Sequence, residues 1–178
     1  MSLLQSACVT HMQRVSVNSL AKPSAELNHW QAIGRIGITS TEQSGSGGFT
    51  WQQDGTLSQV SLRGPVGVGS LSVSLDGAAM ALQSSDGTYY DAELAMQHME
   101  QKLGVALPIE QLRYWLVGSV APSSYHWLDT NHDLLEQSGW LIKYQEWTGQ
   151  DALRLPKKLS IERDAVRILV VIQSWNVS

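Results

Sequence analysis

Ser70-Leu71-Ser72-Val73-Ser74-Leu75-Asp76-Gly77 alternates polar and apolar residues without a break and then ends on a turn dipeptide. Successive side chains of a strand point to opposite faces, so Leu71, Val73 and Leu75 are expected on one buried face and the serines on a wet one. Asp-Gly suits two-residue hairpin turns, because both central positions tolerate positive φ. The same punctuation recurs at Asp54-Gly55 and Asp86-Gly87, and Gly45 to Gly48 makes a further break. Working outward, strands are expected near 31–40, 47–54, 57–63, 69–76, 78–84 and 87–90, paired as an antiparallel meander.

The period then changes. Ala92, Ala95, Met96, Met99 and Leu103 fall on one helical face, at steps of three and four, and Gly104 ends that helix. Pro108 opens a second helix striped by Ile109, Leu112 and Leu116, stopped by Gly118 and Pro122. A short helix is also expected at Pro23-Ser24-Ala25-Glu26-Leu27, with proline in its first turn. Strands resume near 124–129, 133–138, 140–147, 158–163 and 166–176. The expected fold is mainly β: about eleven antiparallel strands in one strongly curved sheet, with three short helices, the inserted pair covering its open side. Residues 1–22 show neither period and read as an N-terminal arm, leaving 23–178 as one domain. In the last strand Val166, Ile168, Val170 and Ile172 are expected on one face and Leu169, Val171 and Trp175 on the other. A strand apolar on both faces is either covered on both or lines a lipophilic space.

Composition narrows the function. Of 178 residues 43% are hydrophobic and 16% charged, below the ~25% charge of ordinary soluble domains. Seven tryptophans stand against one phenylalanine, so apolar surface is reserved for something beyond a routine core. A single cysteine excludes a disulfide scaffold, and a net charge of −4 argues against general nucleic-acid binding. No run approaches the ~20 apolar residues that span a bilayer. The first residues lack the basic start and apolar core of a signal peptide. Ser6-Ala7-Cys8 nevertheless puts small residues before a cysteine, as at a lipoprotein processing site, with Leu4 one place too early; alone, Cys8 is simply a thiol.

No catalytic constellation emerges. His11, His29, His98, His126 and His132 show no metal-ligand spacing, and no Gly-x-Ser-x-Gly elbow is present. No metal or cofactor is expected. Gly64-Pro65-Val66-Gly67-Val68-Gly69 lacks the Lys-Ser/Thr and following helix of a phosphate loop. It reads as a tight connection, or as a rigid turn that presents Val66 outward for insertion into a membrane or partner. The tryptophans fit either core packing or a cavity with apolar walls and few polar anchors.

Several segments, taken in order, resemble the LolB family of outer-membrane lipoprotein receptors. They are Trp30-Gln31-Ala32-Ile33-Gly34-Arg35-Ile36-Gly37-Ile38, Gly48-Phe49-Thr50-Trp51 and Leu62-Arg63-Gly64-Pro65-Val66-Gly67. Leu107-Pro108-Ile109-Glu110-Gln111-Leu112-Arg113-Tyr114-Trp115-Leu116-Val117-Gly118 follows, then Gly139-Trp140-Leu141-Ile142-Lys143-Tyr144, Leu155-Pro156-Lys157-Lys158-Leu159 and Ile172-Gln173-Ser174-Trp175. Each is weak alone; their order over residues 30–176 is specific.

The resemblance implies a strongly curved, incomplete antiparallel β-barrel, its open side covered by helices over a hydrophobic cavity, that accepts lipoprotein acyl chains from the periplasmic carrier LolA and places them in the inner leaflet of the outer membrane. It implies a periplasm-facing monomer, without nucleic acid or covalent chemistry, anchored through an acylated N-terminal cysteine, for which Cys8 is the candidate. Gly64-Pro65-Val66-Gly67 matches the family's membrane-insertion loop, with Val66 where leucine is usual. The cavity is expected to draw on Trp51, Leu71, Val73, Met96, Met99, Trp115, Trp140 and Ile172. Arg35 and Arg113 match family positions and, partly buried, would hold helices to the sheet or meet the polar end of a ligand. The alternative is a lipoprotein- or lipid-sensing regulatory domain on the same fold; an enzyme comes third.

Overall fold

Eleven strands make one antiparallel sheet in a computed structural model that describes residues 27–41, 44–64, 69–77, 79–103, 107–149 and 153–178, with the backbone alone for Ala95, His98, Met99, Lys102 and Leu103. The first six are β1 (His29–Thr39), β2 (Ser44–Asp54), β3 (Leu57–Arg63), β4 (Ser70–Asp76), β5 (Ala79–Ser84) and β6 (Tyr89–Tyr90). Helices α1 (Ala92–Leu103) and α2 (Ile109–Leu116) follow. The chain then returns through β7 (Tyr125–Trp127), β8 (Leu134–Gln137), β9 (Trp140–Thr148), β10 (Leu155–Arg163) and β11 (Val166–Val177).

The strand order is β6-β5-β4-β3-β2-β1-β11-β10-β9-β8-β7. Two meanders therefore join along β1 and β11, and the sheet stays open, with β6 and β7 as its edges. Both helices lie in the connection between those edges, so the chain must pass from one rim to the other. The third expected helix lies outside the described residues, except Leu27, which is not helical. No described helix is long and apolar enough to cross a membrane.

Alternation sets the inner face. Trp30 and Ala32, Phe49 and Trp51, Val60, Val73 and Leu75 are buried along the first meander, and Ile168, Val170 and Ile172, Leu159 and Ile161, Ile142 and Leu135 along the second. Ala32 stands opposite Trp51 on one side and Trp175 on the other. Trp30 stacks on Trp51 at 6.0 Å and meets Trp175 edge-on at 5.5 Å. A methyl is the side chain that suits a position between two indoles.

One expectation about β11 needs correction. Ile33 pairs with Ser174 but Gly34 with Ile172, so Gln173 is an extra residue in the ladder. This bulge reverses the alternation beyond it, as one extra residue must. Trp175 thus joins Ile172 on the inner face, where its Nε1–H donates to the Pro156 carbonyl at 2.9 Å. The bulge also explains Gly34: a Cβ there would run into the Val171 carbonyl and come within 2.9 Å of the Phe49 ring. Strand β10 begins at Leu155, ahead of the expected 158, because Pro156 sits at a register shift where the missing N–H costs no ladder bond.

Candidate functional site

Helix α2 lies over the inner face, and an apolar space remains beneath it. The sheet side comes from Ile36, Phe49, Trp51, Val60 and Leu62, extended by Val73 and Val170. Leu107, Ile109, Leu112 and Leu116 close it from above. Not one of these side chains is polar. The space measures about 50 Å³, well below the ~300–1,000 Å³ of ligand pockets. With no polar group facing it, it offers water no hydrogen-bond partner.

Local chemistry fixes α2 there. The N–H groups of Gln111 and Leu112 both bond the Pro108 carbonyl at 3.0 Å, so proline serves at the helix start, where its own N–H is not needed. Ile109, Leu112, Trp115 and Leu116 form the buried stripe. At the other end Gly118, at φ +77, lets Ser119 N–H reach the Tyr114 carbonyl and Gly118 N–H the Trp115 carbonyl. That pair of bonds is a Schellman closure, which needs a residue at positive φ.

The C-terminal end of α2 is also bolted to the second meander. Gln137, 1% exposed, accepts from Trp115 Nε1 at 2.8 Å and from Ala121 N–H at 3.0 Å. Its amide group donates to the Ala121 carbonyl at 2.9 Å and to Ser123. Tyr144 donates its hydroxyl to the Trp115 carbonyl at 3.1 Å, and burial pushes that phenol well above its ordinary pKa.

The expected site residues divide. Trp51 and Val73 line the apolar space. Leu71, half-buried, and Ile172, buried, pack in the core but are not among its lining. Met96 and Trp140 line a separate, more open cleft of about 400 Å³ between Met80, Pro108 and Arg163. There Arg163 covers the Trp140 ring at 4.5 Å. Trp115 is fully buried in its bond to Gln137 rather than lining the space. The side chain of Met99, the loop residues Pro65, Val66 and Gly67, and Cys8 lie outside the described residues. Gly64 is described, and its N–H bonds the Gly69 carbonyl at 3.2 Å, closing the base of that loop.

Arg35 departs from expectation. Alternation puts it on the outer face of β1, exposed, opposite Gly48 and Val171, so it is not partly buried and reaches no helix. Arg113 lies between α2 and the β2–β3 turn, with Nη2 donating to the Tyr114 hydroxyl at 2.6 Å and Nη1 to the Thr56 carbonyl at 3.4 Å.

Sequence reasoning missed Phe49, Val60 and Leu62. Register was the available signal, because Val60 stands opposite both Trp51 and Val73, and Leu62 opposite Phe49. Among the described residues no group of His, Cys, Asp or Glu could hold a metal ion.

An open half-barrel with an apolar space under one helix is the class that this geometry defines. The model of the family described as "Outer membrane lipoprotein LolB" matches residues 28–175, and the chain belongs to that family. An outer-membrane lipoprotein LolB of Francisella tularensis subsp. tularensis is 32% identical, over 97% of this chain and 88% of its own length. The LolB of Pseudomonas paraeruginosa is 33% identical, over 93% and 78%. In fold, the chain is similar to the crystal structure of a DUF1329 family protein from Desulfovibrio piger, with a TM-score of 0.52 at 6% identity, over 86% and 87% of the two chains.

Proposed function

We propose that this protein is an outer-membrane lipoprotein receptor that takes lipoproteins from LolA into the space beneath α2 and passes their acyl chains to the inner leaflet of the outer membrane. The observation that carries the reading is an apolar space that no polar group faces, placed under a short helix rather than sealed within a closed barrel. An acyl chain in water loses about 0.8 kcal/mol per CH₂ that an apolar wall would cover. Such a wall replaces the bilayer during transit, and transfer runs downhill when each successive site binds the chains more tightly. Ligand pockets hold ~300–1,000 Å³, whereas this space holds about 50 Å³, so α2 moves off the sheet on loading.

The protein works as a monomer facing the periplasm, and Cys8, within the arm 1–22, carries the lipid anchor. Val66 is the apolar tip that meets the membrane. The test combines lipoprotein-loaded LolA, this protein and liposomes, with the lipoprotein followed from carrier to membrane. The wild type should deliver cargo, while Val66→Glu should still accept it from the carrier but fail to release it into liposomes. Capture without onward transfer by the wild type would instead mark a sensor. Undiminished delivery by Val66→Glu would remove the loop from the mechanism.

A further inference from the structure

Trp51 lines the acyl space, but its stacking partner Trp30 lines a second cavity, of about 330 Å³, at the β2–β3 turn end of the sheet. Its apolar side includes Trp30, Tyr114 and Val117; its polar side includes Gln53, Arg113 and Ser119. That volume falls in the range of small-molecule sites. A lining shared between apolar and polar side chains suits an amphipathic ligand.

Gln53 is already engaged: its oxygen accepts from Trp51 Nε1 at 3.1 Å and Ser58 Oγ at 2.6 Å, and its amide donates to the Gly55 carbonyl at 2.9 Å. Arg113 is not. Of the five donors of a guanidinium, one bonds the Tyr114 hydroxyl and one makes a long contact to Thr56, while Nε–H is buried with no acceptor. Among the described residues no carboxylate pairs with Arg113. The neighbouring acids are occupied elsewhere, Asp54 by His29 at 2.8 Å and Asp76 by the Thr56 hydroxyl at 2.9 Å. Among the described residues no acid lines the cavity. Tyr114, which accepts from Arg113, keeps its own O–H to donate.

We propose that this cavity binds a small amphipathic anion, whose carboxylate or phosphate oxygen takes the Arg113 Nε–H and whose short apolar body rests on Trp30 and Val117. A cation with an orphaned buried donor calls for an acceptor, and an oxyanion supplies both charge and lone pairs. The flanking aromatic and aliphatic wall favours an anion with a hydrocarbon body over a bare ion. The Nε–H is shielded from water in the unliganded cavity, so the anion takes it as the guanidinium turns away from its long Thr56 contact. Helix α2 need not move, and the site stands or falls independently of the acyl-chain reading.

The experiment follows the Arg113 side-chain Nε–H resonance in the full chain labelled with ¹⁵N-arginine, assigned by its absence in Arg113→Lys. Octyl phosphate and octanoate are titrated as free anions, octanol as the neutral control, and phosphatidylglycerol vesicles as the headgroup source. A saturating downfield shift with either free anion, and none with octanol, is expected. Arg113→Gln should weaken binding by about ten- to a hundredfold, the loss expected when a charge-assisted hydrogen bond goes. Tyr114→Phe, which keeps the ring, should weaken it less. A shift with vesicles but not with free anions assigns the site to a lipid headgroup, and the reverse to a soluble anion; both support the site. An unmoved resonance, an equal response to octanol, or full affinity in Arg113→Gln would overturn it. So would a response that does not saturate by millimolar concentration.

Discussion

Gln137 shows how one side chain can hold a functional element in place. Its amide satisfies Trp115 Nε1, the Ala121 N–H and the Ala121 carbonyl at once, all within 3.0 Å. Gln137→Leu fills similar volume but strands those groups, each at about 1–3 kcal/mol for a buried orphan. The expected loss is about 3 kcal/mol or more, read as a lower denaturant midpoint at unchanged slope. Nothing in the sequence marks Gln137, because a glutamine in a four-residue strand reads as an exposed position until its register against Trp140 places it on the inner face. Tyr144 gives a pH signature. Burial raises its phenol in the folded state, while the unfolded chain ionises near pH 10. The stability this group confers is therefore fully present below pH 10 and falls as pH rises beyond it, by about 1.4 kcal/mol per pH unit. Tyr144→Phe should cost only about 1 kcal/mol at neutral pH, since the Trp115 carbonyl keeps the Gly118 N–H. The difference between wild type and Tyr144→Phe should shrink and then reverse in urea titrations repeated between pH 8 and 11.

Both helices carry an apolar stripe in the sequence, yet the sheet treats them differently. Helix α1 packs on β5 and β6 at the open rim, and Met96 stays 48% exposed. Helix α2 buries Leu112 to 6% over the centre of the sheet. Periodicity tells which face of a helix is apolar but not how much sheet lies beneath it, so Met96 looked as promising a cavity residue as any in α2. Strand positions were far more legible, because alternation and Asp-Gly turns are local signals, and β3 lies where it was expected, at Leu57–Arg63. What alternation could not reveal was the extra residue Gln173, which depends on how β11 meets Gly34 across the sheet. Met96→Ala should therefore cost less than about 1 kcal/mol, and Leu112→Ala about 2–3 kcal/mol, near the lower end for a buried leucine because the site already contains a void. Leu112→Ala should also bind an acyl-chain fluorophore more tightly. In the proposed loading step acyl chains displace the closed packing of α2, so weakening that packing favours the loaded state. An ordinary core position would lose stability without gaining affinity; Leu112→Ala with unchanged affinity would show that α2 does not gate the space.

At the scale of the whole molecule, low charge and seven tryptophans hinted at reserved apolar surface without locating it. The structure divides the tryptophans between fastening and lining. Trp115 bonds Gln137, Trp147 bonds Asp133 at 2.8 Å and Trp175 bonds Pro156, while Trp51 bonds Gln53 and faces the apolar space beneath α2. Most of those fasteners tie the second meander together or bind it to the C-terminal end of α2. The Pro108 end is held differently, by apolar contact and by an exposed bond from Gln111 to Ser138 at 2.9 Å. An interior of about 50 Å³ must grow several-fold to take an acyl chain. The sheet resists that growth, since β1 and β11 are paired along ten positions from Trp30 to Thr39, so the expansion falls on the helix. With one end pinned by Gln137 and Tyr144, α2 should swing about Trp115 and lift at Ile109. Hydrogen exchange on the acyl-loaded protein should therefore accelerate at 109–112 while 115–119 and the β1–β11 ladder keep their protection. Gln137→Leu should release the pin, so that loading exposes both ends of α2 alike. Uniform protection along α2 in the loaded wild type would mean that the chains enter elsewhere, with the wider cleft beside Met96 and Trp140 as the next place to look.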